Sequence, residues 1–176
     1  MKLLRIGAWI MGALAVVSLG FLAVGFLLPS QWEARAELAL DAPPEAIYPW
    51  VAGGEGWTRW TPVPEEGVEF LGPASGSGSG YRWDDPGYGK GEFRITATAP
   101  PSKVAYEVEV EGGSIRIQGR LDLVPHGDGG TLVRWEEFGD FGWNPLLGYM
   151  AGRMEALQGE QLRSSLETLR LRVAGE

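Results

Sequence analysis

The chain has 176 residues, a formal net charge of −8, no cysteine and a single histidine. The lack of cysteine excludes a disulfide framework, a thiolate zinc site and a cysteine nucleophile, and one histidine leaves little for metal binding, so we expect no metal or cofactor. Residues 1–29 hold two of the 15 basic and none of the 23 acidic side chains. The remainder is therefore strongly acidic, which argues against nucleic acid as a partner.

The N-terminal region contains an uncharged apolar run at residues 6–28. At about 1.5 Å per residue, this run can span a hydrocarbon core of about 30 Å. Lys2 and Arg5 precede it, which predicts a single-pass protein of the cell membrane with a cytoplasmic N-terminus and an extracytoplasmic domain. The prediction divides the chain into an anchor at 1–29 and a domain at 30–176.

A cleaved signal peptide is the alternative interpretation of the apolar run. Residues 34–36 have the pattern of small residues found at cleavage sites. The run is longer than the apolar segment typical of signal peptides, and the cleavage pattern lies well beyond its end. Both features favour an uncleaved anchor.

Alternation of apolar and polar residues predicts strands in most of the remaining chain. A first strand is predicted at 34–40, followed by a short helix at 45–52 and about six further strands between 68 and 138. Consecutive strands with one apolar face form an antiparallel sheet with one covered face. Gly91 and Gly119, inside predicted strands, indicate bends or bulges.

The clearest predicted hairpin turns at Gly112-Gly113, because glycine suits the positive φ angles of a two-residue turn. This turn places Glu109 opposite Arg116 and Glu107 opposite Gln118. We expect both pairs on the solvent-facing side of the sheet.

A long helix is predicted at residues 145–173, with Asn144 as its N-cap and Pro145 in its first turn. Its apolar residues recur at steps of three and four, but the apolar face rotates at Gly159. The sequence therefore predicts different roles for the two halves of the helix.

We expect the first half, at 146–157, to close over the concave face of the sheet and to contact the ligand space through Met150, Met154 and Leu157. We expect the second half, at 162–169, to pack as ordinary core.

This order of elements resembles the START-type helix-grip superfamily (SRPBCC), and it is most similar to membrane-anchored bacterial proteins of the polyketide cyclase/dehydrase-like type. The resemblance extends over residues 33–173 and rests on residues 42–48, Trp57, Trp60, residues 130–135, 139–142 and 144–145, and the closing helix. It implies an α+β fold in which a curved antiparallel sheet of about seven strands grips the C-terminal helix. It also implies a hydrophobic cavity between sheet and helix for lipids, polyketides or other apolar molecules, but no catalytic residue, because the enzymes of the superfamily share no single catalytic motif.

The side chains expected to line this cavity are mostly aromatic or aliphatic. They are Trp57, Trp60, Tyr81, Trp83, Phe93, Ile95, Tyr106, Val108, Ile117, Leu121, Val133, Trp135, Met150 and Met154, together with Glu137. The alternative is that the aromatic residues form ordinary core, and a mixture of wall and core is expected for this fold.

Glu137 is the one weak candidate for a catalytic residue. If Val133 and Trp135 face the cavity, the period of two in a strand places Glu137 there as well. A carboxyl group in apolar surroundings has a raised pKa and can act as an acid, a base or a ligand anchor. The alternative is that the strand ends or bulges near Glu136 and leaves both carboxylates in solvent.

Three functions are compatible with the sequence. The first is a membrane-tethered domain that binds an apolar small molecule or lipid. The second is a cyclase- or dehydratase-like enzyme that uses a cavity carboxylate. The third is an interaction domain with a filled cavity. The first two require a void between sheet and helix, and the second also requires an ionisable group within it. The sequence leaves the ligand and the oligomeric state open.

Overall fold

The computed structural model describes residues 2–175, and only the backbone of residues 2–6 and 8. The side chains of Lys2 and Arg5, on which the predicted membrane orientation rests, lie outside the described residues. The helices of the described part are α1 at Lys2–Leu27, α2 at Pro44–Val51, α3 at Gly54–Trp57 and α4 at Pro145–Ala174. The strands are β1 at Gln31–Leu40, β2 at Val68–Leu71, β3 at Gly80–Asp85, β4 at Gly89–Ala99, β5 at Lys103–Val110, β6 at Ile115–His126 and β7 at Gly130–Asp140.

The seven strands form one curved antiparallel sheet in the order β1-β7-β6-β5-β4-β3-β2. Consecutive strands from β2 to β7 are neighbours, and β1 joins the far edge beside β7. The helix α4 packs chiefly against β1, while α2 and α3 connect β1 to the opposite edge. The predicted α+β helix-grip fold with an apolar N-terminal helix is confirmed.

The hairpin of β5 and β6 has the predicted register. Glu109 lies opposite Arg116, and Glu107 lies opposite Gln118. The turn glycines Gly112 and Gly113 have φ angles of 66° and 86°, which other residues rarely adopt. The carboxylate of Glu109 lies 3.5 Å from the Arg116 guanidinium on the solvent-facing side.

The expected bulges at Gly91 and Gly119 are absent, because pairing continues through both residues. Between β4 and β5 the register shifts elsewhere, between Ile95 and Ala97. The two strand glycines have another role, which is to make room for aromatic rings.

Each of three strand glycines lies directly opposite a large aromatic residue on the neighbouring strand. The pairs are Gly91 with Trp83, Gly119 with Tyr106, and Gly139 with Trp32. A Cβ atom at any of these glycines would overlap the facing ring. The missing side chains therefore allow the rings to lie flat across the inner face of the sheet.

The second half of α4 forms core, as predicted. Leu162, Leu166 and Leu169 are almost completely buried against the inner face of the sheet and the short helices. This part of the helix fixes α4 on the domain.

The first half of α4 does not close over the sheet, so that prediction is wrong. Leu146, Met150 and Leu157 are 54%, 46% and 58% exposed, whereas Gly148 and Ala151 are buried. The physical reason is close packing, because a Cβ at Gly148 would lie 2.8 Å from the carbonyl oxygen of Gly25 in α1. Small residues therefore occupy the side of these turns that faces α1. Leu147 and Met154 still pack at the margin of the core, whereas the other large side chains point away.

The helix α1 contains a segment, Trp9–Leu27, that is long and apolar enough to cross a membrane. Little of this segment is buried against the rest of the protein. Signal sequences can also contain an apolar helix of this kind near the N-terminus.

Candidate functional site

A pocket of about 270 Å³ lies between the inner face of the sheet and α4, open to solvent on one side. The loop between α3 and β2, the tip of the β3–β4 turn and α4 form its rim. Its lining residues are Trp57, Thr61, Pro62, Val63, Pro64, Tyr81, Trp83, Tyr88, Phe93, Tyr106, Val108, Ile117, Trp135, Glu137, Gln158, Gln161, Leu162 and Ser165. The volume suits a molecule of one or two rings, since a cavity of about 150 Å³ already admits benzene.

The structure brings most of the predicted lining residues together around this pocket. Those in its wall are Trp57, Tyr81, Trp83, Phe93, Tyr106, Val108, Ile117, Trp135 and Glu137. Their role in binding a ligand stays a prediction.

The remaining predicted residues lie elsewhere. Trp60, Ile95, Leu121 and Val133 are buried in the core without lining the pocket. Met150 is on the outer side of α4, and Met154 packs at the margin of the core outside the pocket. Met150 is misplaced because small residues occupy the inner side of the first turns. Met154 does lie on the inner side, but beyond the pocket.

Glu137 faces the interior because β7 continues without interruption to Asp140. The alternation that buries Val133 and Trp135 also buries Glu137, which is only 5% exposed. Its cross-strand neighbour on β6 is Gly119, which contributes no side chain to the space above the sheet. The alternative of a strand that ends near Glu136 is therefore excluded.

A chain of hydrogen bonds holds the Glu137 carboxyl group. The Tyr106 hydroxyl donates to Glu137 Oε1, and Gln158 Nε2 of α4 donates to Oε2 at 2.7 Å. Trp135 Nε1 donates in turn to the Tyr106 oxygen at 2.6 Å. The carboxyl group is thus fixed from three directions, by β5, β7 and α4.

Burial raises the pKa of Glu137 above its ordinary value, because desolvation penalises the carboxylate more than the hydrogen bonds from Tyr106 and Gln158 favour it. Burial also raises the pKa values of Tyr106 and Tyr81, and the nearby Glu137 adds to both shifts. Both phenols are therefore uncharged at physiological pH.

Trp57 connects this polar group to the hydrophobic core. Its ring centroid lies 4.8 Å from that of Tyr106, 5.0 Å from that of Phe93 and 5.5 Å from that of Trp135. Its Nε1 donates to the carbonyl oxygen of Val51 in α2 at 2.7 Å. Trp57 therefore both lines the pocket and belongs to the core, which is the mixture of roles expected for this fold.

The polar lining residues on α4 escaped the sequence analysis. Gln158 and Gln161 line the pocket beside Leu162 and Ser165, at positions one helical turn apart. A polar residue gives no signal in an apolar pattern. Their only sequence signal is spacing, since Gln158 and Ser165 fall on the face defined by Leu162 and Leu169.

The chemistry available in the pocket is that of one buried carboxyl group among aromatic rings. Among the lining residues, Glu137 is the sole carboxylic acid. In the described part of the chain, no three His, Asp or Glu side chains are grouped so as to hold a metal ion. The arrangement can bind an apolar molecule and exchange a proton with it at Glu137.

A protein-family model described as polyketide cyclase / dehydrase and lipid transport matches residues 31–174, and no curated protein matches the sequence. The structure of TTHA0849 from Thermus thermophilus is 21% identical with a TM-score of 0.61, over 81% of this chain and 97% of that one. Mll3558 from Rhizobium loti is 20% identical with a TM-score of 0.58, over 80% and 96%. Norcoclaurine synthase from Thalictrum flavum, in complex with dopamine and hydroxybenzaldehyde, is 12% identical with a TM-score of 0.62, over 87% and 92%. At these identities the solved structures share the fold alone, and together with the family model they confirm the resemblance predicted from the sequence.

Proposed function

Since the chain belongs to the polyketide cyclase / dehydrase and lipid transport family, we propose that it binds an apolar molecule of one or two rings in the pocket between sheet and α4, while α1 tethers it to the cell membrane. The observation that carries the proposal is the pocket itself, with aromatic walls and one buried carboxyl group. A filled interior would instead favour the interaction domain.

The pocket also indicates where polar atoms of the ligand would lie. Glu137 and the Gln158 amide offer a donor and acceptor pair on one wall. Trp83, another lining residue, has a buried Nε1 without a hydrogen-bond partner among the described residues. A ligand with a hydrogen-bond acceptor near Trp83 would give this nitrogen the partner that it lacks.

Binding can be tested by titrating the full chain in lipid nanodiscs with N-phenyl-1-naphthylamine and following energy transfer from the pocket tryptophans. Val108→Trp would fill the pocket, so we expect it to weaken dye binding about ten-fold or more. Val124→Trp is the matched control on the outer face of β6, and it should leave binding unchanged. Equal affinity of the two variants would contradict a ligand site at this position.

A second candidate function is proton-transfer catalysis, and the burial of Glu137 inside the pocket favours it. A buried carboxyl group with a raised pKa is suited to move a proton at a carbon next to a carbonyl group. The test is exchange of the α-hydrogens of 2-tetralone with D2O, followed by NMR. The enzyme hypothesis predicts accelerated exchange that Glu137→Gln abolishes while dye binding persists, and equal exchange by both proteins would exclude Glu137 as the base.

The tether is supported by contacts between α1 and the domain. Gly25 of α1 packs on Pro145 at the start of α4. The domain therefore has a contact surface for this helix, and cleavage of α1 as a signal peptide would leave that surface unoccupied. We expect a mature protein that retains residues 6–28, with its domain outside the cytoplasm. Intact-mass measurement and a C-terminal reporter active only in the cytoplasm test these two points, and a mature N-terminus at Glu37 or an active reporter would overturn them.

A further inference from the structure

We propose that the first turns of α4, with Trp143 before them, enter the same bilayer as α1 and give the domain a second, interfacial membrane contact. The inference rests on the proposed tether by α1. It concerns a different surface, which is formed by exposed side chains of residues 143–150 and not by α1.

The first observation is that α1 and α4 pack closely enough to exclude side chains between them. A Cβ at Gly25 would overlap the backbone of Pro145, and a Cβ at Gly148 would lie 3.1 Å from Cβ of Leu28. Small residues at helix contacts of this kind are typical of packing within membranes.

The second observation fixes the depth of this contact along α1. The rings of Phe21 and Tyr149 are stacked, with centroids 4.4 Å apart, and the Tyr149 hydroxyl donates to the carbonyl oxygen of Phe21 at 2.6 Å. Phe21 precedes Leu27, the end of the apolar span, by six residues, or roughly 9 Å along the helix axis. If Trp9–Leu27 crosses a bilayer, Tyr149 lies several ångströms below the surface of that bilayer.

The third observation is that the start of α4 is uncharged and exposes apolar side chains, as a segment at this depth requires. No charged residue occurs between Asp140 and Arg153. Trp143 is 91% exposed, beside the half-exposed Leu146 and Met150. Tryptophan and large aliphatic side chains partition favourably into the boundary between headgroups and acyl chains.

The bilayer is the occupant that the structure favours for this surface. These exposed side chains belong to a segment that packs on α1, and a membrane crossed by α1 would adjoin them. The Tyr149 hydroxyl already has an acceptor in Phe21, so it carries no unpaired donor into the apolar layer. A second copy of the chain is the competing occupant, and the experiment below separates the two.

The absence of cysteine makes a labelling experiment direct. Single cysteines replace Leu146, Met150, Leu171 near the far end of α4, or Val16 within α1, all of them exposed positions. Each full-length variant carries the fluorophore NBD and is placed in phosphatidylcholine and phosphatidylglycerol nanodiscs. Emission is measured without quencher and with lipids that bear a doxyl group near the headgroup or near the chain end.

We expect the Leu146→Cys and Met150→Cys sites to show blue-shifted NBD emission and to lose most of it to the doxyl group near the headgroup. Leu171→Cys should be unaffected by either quencher. Val16→Cys should be quenched by doxyl near the chain end, which is the independent check of the tether.

Each other outcome overturns a distinct statement. Unquenched Val16→Cys would refute the tether proposed for α1. Quenched Val16→Cys with unquenched, red-emitting labels at residues 146 and 150 would refute the second membrane contact while leaving the tether intact. A blue shift at those two residues without doxyl quenching, reversed on dilution into excess empty nanodiscs, would also refute it and assign the surface to a second copy.

Discussion

Beyond Gly159, α4 buries Leu162, Leu166 and Leu169 against the sheet. Before it, Leu146, Met150 and Leu157 of the same helix lie about half exposed. The inner side of the first half carries Gly148 and Ala151 instead. One face of α4 is thus buried in both halves, first against α1 through small residues and then against the domain core through leucines.

The difference shows that apolar residues in a helix do not by themselves identify the face that packs on the domain. In the second half, leucines fill space between α4 and the sheet. In the first half, α1 comes so close that little space is left, and a Cβ at Gly148 would lie 2.8 Å from the carbonyl oxygen of Gly25. Close approach selects small residues, and the large ones then occupy the outer side.

The largest expected effect comes from truncating one leucine in each half. Leu166→Ala leaves a cavity in a closed core, and we expect it to lower the free energy of unfolding by about 2–5 kcal/mol. Leu157→Ala removes an exposed side chain and should cost no more than about 0.5 kcal/mol. Urea unfolding of the full chain in detergent measures both free energies. Equal losses of stability in the two variants would contradict a difference in packing between the two halves.

Smaller changes in stability are expected for two glycines of the first half, where one substitution should destabilise the protein and the other should stabilise it. Gly148→Ala places a methyl group against Gly25 and should cost about 1–3 kcal/mol through overpacking. Gly152→Ala, one turn later, meets nothing within 4 Å. It should stabilise the helix by about 0.5–1 kcal/mol. Thermal unfolding of the two variants gives the signs, and stabilisation by both would mean that α1 does not pack on α4.

The third prediction concerns Glu137, which contacts α4 where its halves meet. Its pKa in the folded protein lies above its ordinary value of 4.5, so between those two values the native state binds more protons than the unfolded state. Stability should therefore fall as the pH rises through that window, by at most about 1.4 kcal/mol per pH unit. Glu137→Gln should lack this fall, and stability curves measured from pH 4 to 8 check it.

The control for this pH dependence is Glu109→Gln, which removes a carboxylate from the solvent-facing side of the sheet. It should follow the wild-type curve in shape. Parallel curves for wild type and Glu137→Gln would show that Glu137 does not titrate as a buried group.

The smallest expected effect lies at the junction itself. Gln158→Ala removes a hydrogen bond that lowers the pKa of Glu137, so that pKa should rise further, at a cost in stability of about 1 kcal/mol. Gln161→Ala, at the same pocket, makes no hydrogen bond to Glu137 and is the matched control. Infrared titration of the buried carboxyl band measures the pKa of Glu137. An unchanged pKa in Gln158→Ala would contradict a hydrogen bond from Gln158 to Glu137.

Much of the sheet could be predicted because its signals are local. The glycines of the β5–β6 turn determine the pairing of Glu109 with Arg116, and strand alternation places Glu137 beside Trp135 on the inner face. The orientation of α4 could not be predicted in this way. Gly148 and Gln158 face inward because of the elements opposite them, and neither residue has an apolar side chain to reveal it.

The pairing of Gly119 with Tyr106 gives the site an indirect point of control. Tyr106 reaches Glu137 only because its ring lies in the space that Gly119 leaves free. A single methyl group on β6 would displace the ring, and with it the hydroxyl that helps to hold the carboxylate. Gly119 thus influences the pKa of Glu137 from a neighbouring strand. Natural selection on that pKa would constrain Gly119, although glycine has no functional group of its own.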